Sequence, residues 1–306
     1  MKNETLRIGV FGMLNNPEYR QESWRESIAQ RLLCFDAVCL VCGNEADVPM
    51  LASAFPEDWR SGKLQAIYKP WPFPEWSYEE LPKHLNAALD LARKQGCEWM
   101  VKLDIDTVVH EKHMKYLRRA ISKAHRRGRW IVSMRKLQFF KATLYFPKAH
   151  LPLALNMSKP IAYGFDRMQK NDLCQPIEWD GVSTVMYREK SYDIPKGVGV
   201  SSDKVFKSRR VKLFNYDYTF RTYQRSMELL YQIEMAHARF WGEGYEGRMI
   251  DTITRESSME DFLELSKKRY AKMKRRMPIE KHPVYMQEIL QSLQPGQWGY
   301  DLWGKL

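Results

Sequence analysis

The chain has 306 residues, 44% hydrophobic and 28% charged, which is enough for one large core or a core with an extension. A net charge of +12 and a pI of 9.3 favour a polyanionic partner such as nucleic acid, an anionic membrane or a phosphorylated substrate, with a merely soluble basic protein as the alternative. No apolar run reaches the roughly 18 residues of a membrane span, and the first residues lack the hydrophobic region of a signal peptide. The odd count of five cysteines argues against a disulfide framework, so we expect a cytoplasmic protein without a transmembrane segment.

The first hundred residues alternate between strand and helix patterns. Strands are predicted at 6–13, 37–42, 64–68 and from 99 onward, and helices at 22–35, at about 48–55 and from the capping box Ser77-Tyr-Glu-Glu80 to Gly96. This alternation predicts an α/β fold, with a mixed, mostly parallel sheet flanked by helices. Ligands bind such sheets outside the carboxyl ends of the strands.

The remainder of the chain is more irregular and more basic. In order we predict a basic helix at 112–129, a strand at 130–134, a hairpin arm at 137–146, an irregular stretch at 150–178, a strand at 182–187, a basic loop at 195–210 and a helix at about 221–241. The basic segments either contact phosphates or are simply solvated surfaces. We expect residues 1–220 to form the main domain and 221–306 a basic, helical C-terminal extension.

The stretch from Trp99 to His110 combines an apolar run with Lys102, Asp104 and Asp106. Residues 104 and 106 would lie on the same face of a strand, where their carboxylates repel each other. A divalent metal that holds phosphate oxygens would relieve this repulsion. An accidental Asp-x-Asp is the alternative interpretation.

Other polar residues follow the neighbouring strands. Asn15 and Asn44 come after the first and second strands, so the predicted sheet places them at the same edge as the two aspartates. Farther along, Glu178 and Asp180 precede a strand and are candidates for a general base. A turn formed by Asp180 and Gly181 is the alternative.

Four segments together resemble the GT-A glycosyltransferases, in particular the family-2-like group, over roughly residues 6 to 220. They are Arg7-Ile-Gly-Val-Phe-Gly-Met-Leu-Asn15, Trp24-Arg-Glu-Ser27, Leu85-Asn-Ala-Ala-Leu89 and Leu103-Asp-Ile-Asp-Thr107. The resemblance implies a GT-A (Rossmann-like) fold, a nucleotide-sugar donor, preferably a UDP-sugar, and Mn²⁺ or Mg²⁺. It implies that Asp104 binds the nucleoside side and the metal, that Asp106 binds the metal, and that the turns at Asn15 and Asn44 line the base pocket.

Further roles follow from the same resemblance. Lys102 would help to neutralise the departing diphosphate, and Asp180, with Glu178 next, would be the base of an inverting enzyme. The family often completes its metal site with a histidine. The comparable segment here, Phe214-Asn-Tyr-Asp-Tyr218, offers Asp217 instead.

The acceptor is less well determined. A basic chain without a membrane anchor resembles phage-encoded transferases that glycosylate 5-hydroxymethylpyrimidines, such as 5-hydroxymethylcytosine, in DNA. This implies a double-stranded DNA partner and, for a virus, the host cytoplasm. A transferase acting on a cell-surface or lipid-linked glycan is the alternative, and a non-catalytic basic nucleic-acid-binding protein is an alternative of another class. The sugar, the nucleotide, the stereochemistry and the oligomeric state stay open.

Overall fold

A computed structural model describes most of the chain. The described residues are 6–72, 75, 80–159, 161–163, 165–166, 185–187, 196–197, 202–217, 219–241 and 275–300. The predicted bases Glu178 and Asp180 lie outside them.

The described helices and strands follow the predicted alternation in the first half of the chain. The helices are α1 (Trp24–Cys34), α2 (Asp47–Ala54), α3 (Pro56–Arg60), α4 (Glu80–Lys94), α5 (Met114–Arg126), α6 (Tyr223–Trp241) and α7 (Val284–Gln291). The strands are β1 (Ile8–Leu14), β2 (Val38–Cys42), β3 (Leu64–Tyr68), β4 (Trp99–Lys102), β5 (Thr107–Val109), β6 (Ile131–Phe139), β7 (Leu144–Asn156), β8 (Ile161–Tyr163), β9 (Phe165–Asp166), β10 (Val185–Tyr187), β11 (Lys196–Gly197), β12 (Val205–Asn215) and β13 (Arg275–Arg276). None of the described helices is both long and apolar enough to cross a membrane.

The central sheet has the strand order β3-β2-β1-β4-β7-β6-β12-β5, with β13 paired to β7. The first four strands are parallel. In the second half, β7 runs antiparallel to both β4 and β6, β12 is parallel to β6, and β5 is antiparallel to β12. The predicted fold class, α/β with a mixed sheet flanked by helices, is confirmed.

Helices cover both faces of the parallel half, which explains its continuous apolar strands. Val38–Cys42 is buried at every position. Leu40 packs in the cluster that contains Ile28 of α1 and Ile121 of α5, whereas Val41 packs in the cluster that contains Leu85 of α4. Strands buried on both faces need no polar alternation.

Two cysteines of β2 confirm the interpretation of the C-x-x-C pair as core thiols. Cys39 and Cys42 are free and buried, and they belong to the clusters on opposite faces of the sheet. Burial raises the pKa of each thiol to about 12, so both are protonated and unreactive at neutral pH.

The described part of the C-terminal segment, residues 275–300, packs on the second half of the sheet. β13 pairs with β7, and Met286 and Leu290 of α7 join a buried cluster with Val108 and Phe139. The proposed domain boundary at residue 220 stays a prediction.

Two predictions for the second half are wrong. The expected irregular stretch 150–178 begins with the end of the long strand β7, and the expected loop 195–210 contains the first half of β12. Pro147 and Pro152 lie on β7 beside irregularities in its pairing with β6. Such irregularities accommodate prolines within a sheet.

Candidate functional site

The turns after β1 and β2 lie against each other at the carboxyl edge of the sheet. The Gly43 amide donates a hydrogen bond to the Leu14 carbonyl at 2.8 Å. A Cβ atom on Gly43 would lie 2.8 Å from Trp71 Cβ and 2.9 Å from Asn15 Cγ, so only glycine fits between these side chains. Asn15 is therefore brought to the β2 turn, as the sequence predicted.

Asn44 has a partner within these turns. Its amide nitrogen donates to the Asn16 side-chain oxygen, and Asn16 itself adopts a left-handed backbone with φ of 47°. The Asn16 amide donates to Asp47 Oδ2 at 2.9 Å, and burial raises the pKa of Asp47. The two turns are thus fixed to each other by polar contacts, which would make a preformed pocket wall.

The Asp-x-Asp segment is a turn rather than a continuous strand, which corrects the expectation that both aspartates share one strand face. β4 ends at Lys102, and the Thr107 amide donates to the Asp104 carbonyl at 2.8 Å. The Leu103 amide donates to the Phe11 carbonyl at 3.0 Å, so this turn begins directly beside β1. A Cβ atom on Gly12 would lie only 2.2 Å from the Leu103 carbonyl oxygen.

Two side chains of helix α1 donate hydrogen bonds to the backbone of this turn. Arg31, which is buried, donates from Nη2 to the carbonyl of Asp104 and, at 3.3 Å, to that of Thr107. Ser27, from the motif that carried the family resemblance, donates its hydroxyl to the Ile105 carbonyl. Burial lowers the pKa of Arg31 to about 10, against the opposing charges of Asp104 and Asp106, so it remains a cation beneath the turn.

Asp104 faces two lysines. Lys102 Nζ lies 2.5 Å from Asp104 Oδ1, and Lys136 Nζ of β6 lies 3.6 Å from Oδ2. Burial by itself would raise the pKa of Asp104, but the positive charges of Lys102, Lys136 and Arg31 outweigh it and hold that pKa well below its usual range. The Asp104 side chain is still 47% exposed, so it is an ionised group open to a ligand.

Asp106 lies in the opposite electrostatic environment. Its Oδ1 accepts hydrogen bonds from Thr107 Oγ1 at 2.9 Å and from Asn215 Nδ2 at 2.8 Å. Burial, and after it the negative charge of Asp217, raise the pKa of Asp106 to about 7. The charges of Asp104 and Glu22 add to this rise, whereas Lys136 opposes it.

Asp217 is placed near Asp106 by the end of β12, where the Tyr216 amide donates to the Asp106 carbonyl at 2.8 Å. Its Oδ1 lies 2.8 Å from Arg221 Nη1, and Arg221 Nη2 lies 2.9 Å from Glu22. The Asp217 carboxylate therefore lies near Asp106 and also pairs with Arg221, which in turn pairs with Glu22.

The residues around Asp106 fit a cation that a substrate helps to bind. Among the described residues no three His, Cys, Asp or Glu side chains form a group that could hold a metal ion. Mg²⁺, however, is commonly held by one or two carboxylates together with substrate phosphates. Asp106 and Asp217 would supply the carboxylates, and Asn215 would add a buried side-chain oxygen that has no hydrogen-bond partner.

Three residues of this site were not found by sequence reasoning. Lys136 gave no local signal, because only strand pairing brings β6 beside the turn. Arg31 could have been found from the sequence, because a charged residue three positions after Ile28 falls on the apolar stripe of the helix and is therefore expected to be buried with a partner. Asn215 could also have been found, as a polar residue between Phe214 and Tyr216 in a strand whose end is buried.

Fold and site together define an α/β protein whose polar residues cluster where the strand order reverses. The chain runs outward from β1 to β3 and then returns to place β4 on the other side of β1. Asn15 and Asp104 follow these two neighbouring strands. Crevices at such reversals are the usual ligand sites of parallel α/β sheets.

Comparison with solved structures finds similarity to TarS of S. aureus. A crystal structure of TarS 1–349 has a TM-score of 0.34 at 15% sequence identity, and the match covers 76% of this chain and 65% of that one. TarS 1–349 in complex with UDP gives a TM-score of 0.36 at 12% identity, covering 94% of this chain and 87% of that one. A further TarS structure gives 0.33 at 14% identity, covering 85% and 48%.

The chain thus spans about two thirds of the length of the first of these structures and about half of the last. No protein-family model matches the chain, and no curated protein is significantly similar to it in sequence.

Proposed function

We propose that the protein is a metal-dependent glycosyltransferase that moves a sugar from a nucleotide-sugar donor to a hydroxyl acceptor. The observation that carries this proposal is the pair Asp104 and Asp106 at the reversal of strand order, with opposite pKa shifts two residues apart. Lysines hold the pKa of Asp104 down, whereas burial and the charge of Asp217 raise the pKa of Asp106 against the opposing charge of Lys136. Such a pair suits a ligand that carries both a nucleoside and a charged diphosphate.

The nucleoside is assigned to the edge formed by the β1 and β2 turns. Asn15 and the Trp71 side chain flank Gly43 there, offering amide hydrogen bonds and an apolar surface to a base. Asp104 follows the neighbouring strand and is partly exposed, so its carboxylate can accept hydrogen bonds from ribose hydroxyls. A UDP-sugar is the preferred donor.

The diphosphate is assigned to the space between Asp104 and Asp106. Lys102 and Lys136 place two ammonium groups at Asp104, where they can stabilise negative charge on the departing phosphate. Asp106 and Asp217 would hold Mn²⁺ or Mg²⁺. The chemistry that this ion supplies is neutralisation of charge on the leaving group.

For the acceptor we propose a 5-hydroxymethylpyrimidine in double-stranded DNA, with 5-hydroxymethylcytosine first. The net charge of +12 supports a polyanionic acceptor. Asp180, or Glu178, would take the proton of the acceptor hydroxyl if the configuration of the sugar is inverted. A surface or lipid-linked glycan is the alternative acceptor.

A transfer assay tests the proposal. The protein is incubated with a panel of UDP-sugars and Mn²⁺ or Mg²⁺, together with DNA that contains 5-hydroxymethylcytosine or with unmodified DNA. The digested nucleosides are then weighed by mass spectrometry. We expect a pentose or hexose increment only on hydroxymethylated DNA, lost with EDTA and restored by added metal. Metal-dependent hydrolysis of the UDP-sugar without an increment would move the acceptor to glycans.

Asp106→Asn tests whether the carboxylate site is catalytic. We expect kcat to fall at least about 100-fold, because the neutral amide no longer balances the charge of a cation. Asp58→Asn is the matched control. Asp58 lies on α3, which precedes the edge strand β3, so this variant should retain full activity. Unchanged turnover in Asp106→Asn would refute the metal site. Intact DNA binding without any transfer or hydrolysis in the wild-type protein would favour the non-catalytic nucleic-acid-binding protein.

A further inference from the structure

Two basic segments that are far apart in the sequence meet on the surface. Helix α5 packs against strand β12, and between them lies a cavity of about 310 Å³. Its cationic lining residues are Arg119, Lys123, Lys207, Arg209 and Arg210. We call these five residues and the recess between them the basic groove.

Aromatic rings accompany these cations. Tyr116 of α5 and Phe206 of β12 also line the cavity. The Arg210 guanidinium lies 5.9 Å from the Tyr116 ring centroid, and that of Arg127 lies 5.9 Å from the Phe206 ring centroid. The groove therefore offers both positive charge and flat apolar surface.

The charges of the basic groove are not neutralised by carboxylates. Within the described residues, none of the five cations forms an ion pair with an aspartate or glutamate, and all five are exposed. The acid beside the groove in sequence, Asp203, is paired with Lys204 at 3.0 Å. Like charges gathered without counter-charges repel one another, and an anionic ligand would relieve this repulsion.

We propose that the basic groove binds the backbone of duplex DNA, with its phosphates on the five cations and its sugars against Tyr116 and Phe206. Binding of DNA without sequence preference depends on such contacts between basic side chains and phosphates. An anionic membrane is the less suitable partner, because a membrane-bound surface usually inserts a broad apolar face. Among the lining residues only Ala120 joins the two aromatic side chains as an apolar group.

The groove lies at the opposite end of β12 from the carboxylate site. Lys207 pairs with Ser133 near the start of β6, whereas Asn215 pairs with Gln138 near its end. The pairing is irregular between Lys207 and Lys212, so the separation is better measured on β6, where the five residues from Ser133 to Gln138 correspond to roughly 17 Å at about 3.3 Å per residue. The groove is therefore a second site rather than part of the carboxylate site.

This inference rests on the proposed function only in one respect, the relation between acceptor length and affinity. At about 3.4 Å per base pair, roughly 17 Å corresponds to about five base pairs. A duplex that extends farther than this beyond the acceptor base can contact both sites, whereas a shorter one cannot. We expect the KM for DNA to fall when the duplex passes this length, with kcat unchanged.

The direct test measures binding to unmodified DNA by fluorescence anisotropy over a series of salt concentrations. The variant Arg119→Gln/Lys123→Gln/Arg209→Gln removes three exposed groove charges. We expect at least a tenfold loss of affinity at 100 mM salt and a slope of log K against log salt that is shallower by about two to three. Hydrolysis of the nucleotide sugar should be unchanged.

The matched control removes the same charge elsewhere. Arg60→Gln/Lys94→Gln/Lys281→Gln changes three exposed basic residues outside the groove and should bind DNA nearly as the wild type does. Equal losses in both triple variants, or no loss in the groove variant, would overturn the proposal. The proposal would also be overturned if the groove residues bound phosphatidylserine vesicles but did not bind DNA. The anisotropy assay measures DNA binding without sugar transfer, so Asp106→Asn should bind DNA as the wild type does. A failure of the proposed transferase activity can therefore be distinguished from a failure of DNA binding by the groove.

Discussion

At the scale of single residues, two aspartates separated by one isoleucine have opposite electrostatic environments. Lysines from β4 and β6 keep Asp104 ionised, whereas burial and the charge of Asp217 raise the pKa of Asp106 to about 7. The chain reaches this arrangement because the segment turns after Lys102 rather than continuing as a strand. The two carboxylates thus point to different neighbours.

Arg31 is the residue whose loss should show how this turn is held. In Arg31→Met the carbonyls of Asp104 and Thr107 lose their buried donor. We expect the affinity for the nucleotide-sugar donor to fall about tenfold and the free energy of unfolding to fall by about 1–3 kcal/mol. Calorimetric titration of the donor and urea denaturation would measure the two effects.

Arg31→Lys serves as the comparison for that variant. It keeps the charge beneath the turn but offers a compact ammonium in place of the guanidinium fork. Donor affinity should therefore lie between those of the wild type and Arg31→Met. If donor affinity were the same in all three proteins, the role of Arg31 in positioning the turn would be excluded.

At the scale of elements, the site depends on how closely β4 approaches β1. The Leu103 carbonyl passes directly over Gly12, and a Cβ atom there would lie 2.2 Å from the carbonyl oxygen. A Cβ atom on Gly9 would meet mainly the thioether of Met100, at 2.4 Å from its sulfur, while the nearest backbone atom, the Ala37 carbonyl oxygen, is 3.1 Å away. A backbone obstacle cannot rotate away, but a methionine side chain can.

We therefore expect Gly12→Ala to lower the free energy of unfolding by about 3 kcal/mol and Gly9→Ala by about 1 kcal/mol. Gly12→Ala should also weaken donor binding, because it displaces the start of the turn that carries Asp104. Urea denaturation of both variants checks the first expectation. Equal destabilisation would contradict the close approach of β4 to β1.

At the scale of the whole molecule, the segment 275–300 completes the core of the second half of the sheet. His282, which is fully buried, has its Nδ1 atom 2.8 Å from the Tyr216 hydroxyl, and its ring centroid lies 4.5 Å from that of Phe139. Burial lowers the pKa of His282 to about 4. Docking of this segment is therefore linked to pH.

The expected effect is a loss of stability in mild acid. Between about pH 6.5 and 4 the unfolded chain binds a proton at residue 282 that the folded chain does not bind. The free energy of unfolding should therefore fall by up to about 1.4 kcal/mol per pH unit as the pH decreases, and this contribution should level off below about pH 4. Above about pH 6.5 it is absent.

His282→Gln isolates this contribution. The difference in unfolding free energy between wild type and variant, measured by urea denaturation from pH 7.5 to 4, should shrink as the pH falls. The pKa values of His110 and His113 are also lowered by burial, but these residues are present in both proteins and cancel in the difference. A difference independent of pH would show that His282 is not buried in its neutral form.

The local sequence was sufficient to determine the parallel half of the sheet and the residues at its carboxyl edge. Apolar runs alternating with amphipathic helices predict β1 to β4, and Asn15, Asn44, Lys102, Asp104 and Asp106 follow from their positions at strand ends. These features depend on interactions between residues close in the chain, so their pattern is visible in the sequence.

Only the tertiary structure determined which residues surround those strand ends. Lys136 and Asn215 reach the turn because β6 and β12 pair in the second half of the sheet, and α5 and β12 form one basic groove from two separate segments. Pairing between distant strands leaves no periodic pattern in either strand alone. The contacts of Lys136 and Asn215 with this turn, which help to give Asp104 and Asp106 different pKa values, could therefore be identified only in the folded chain.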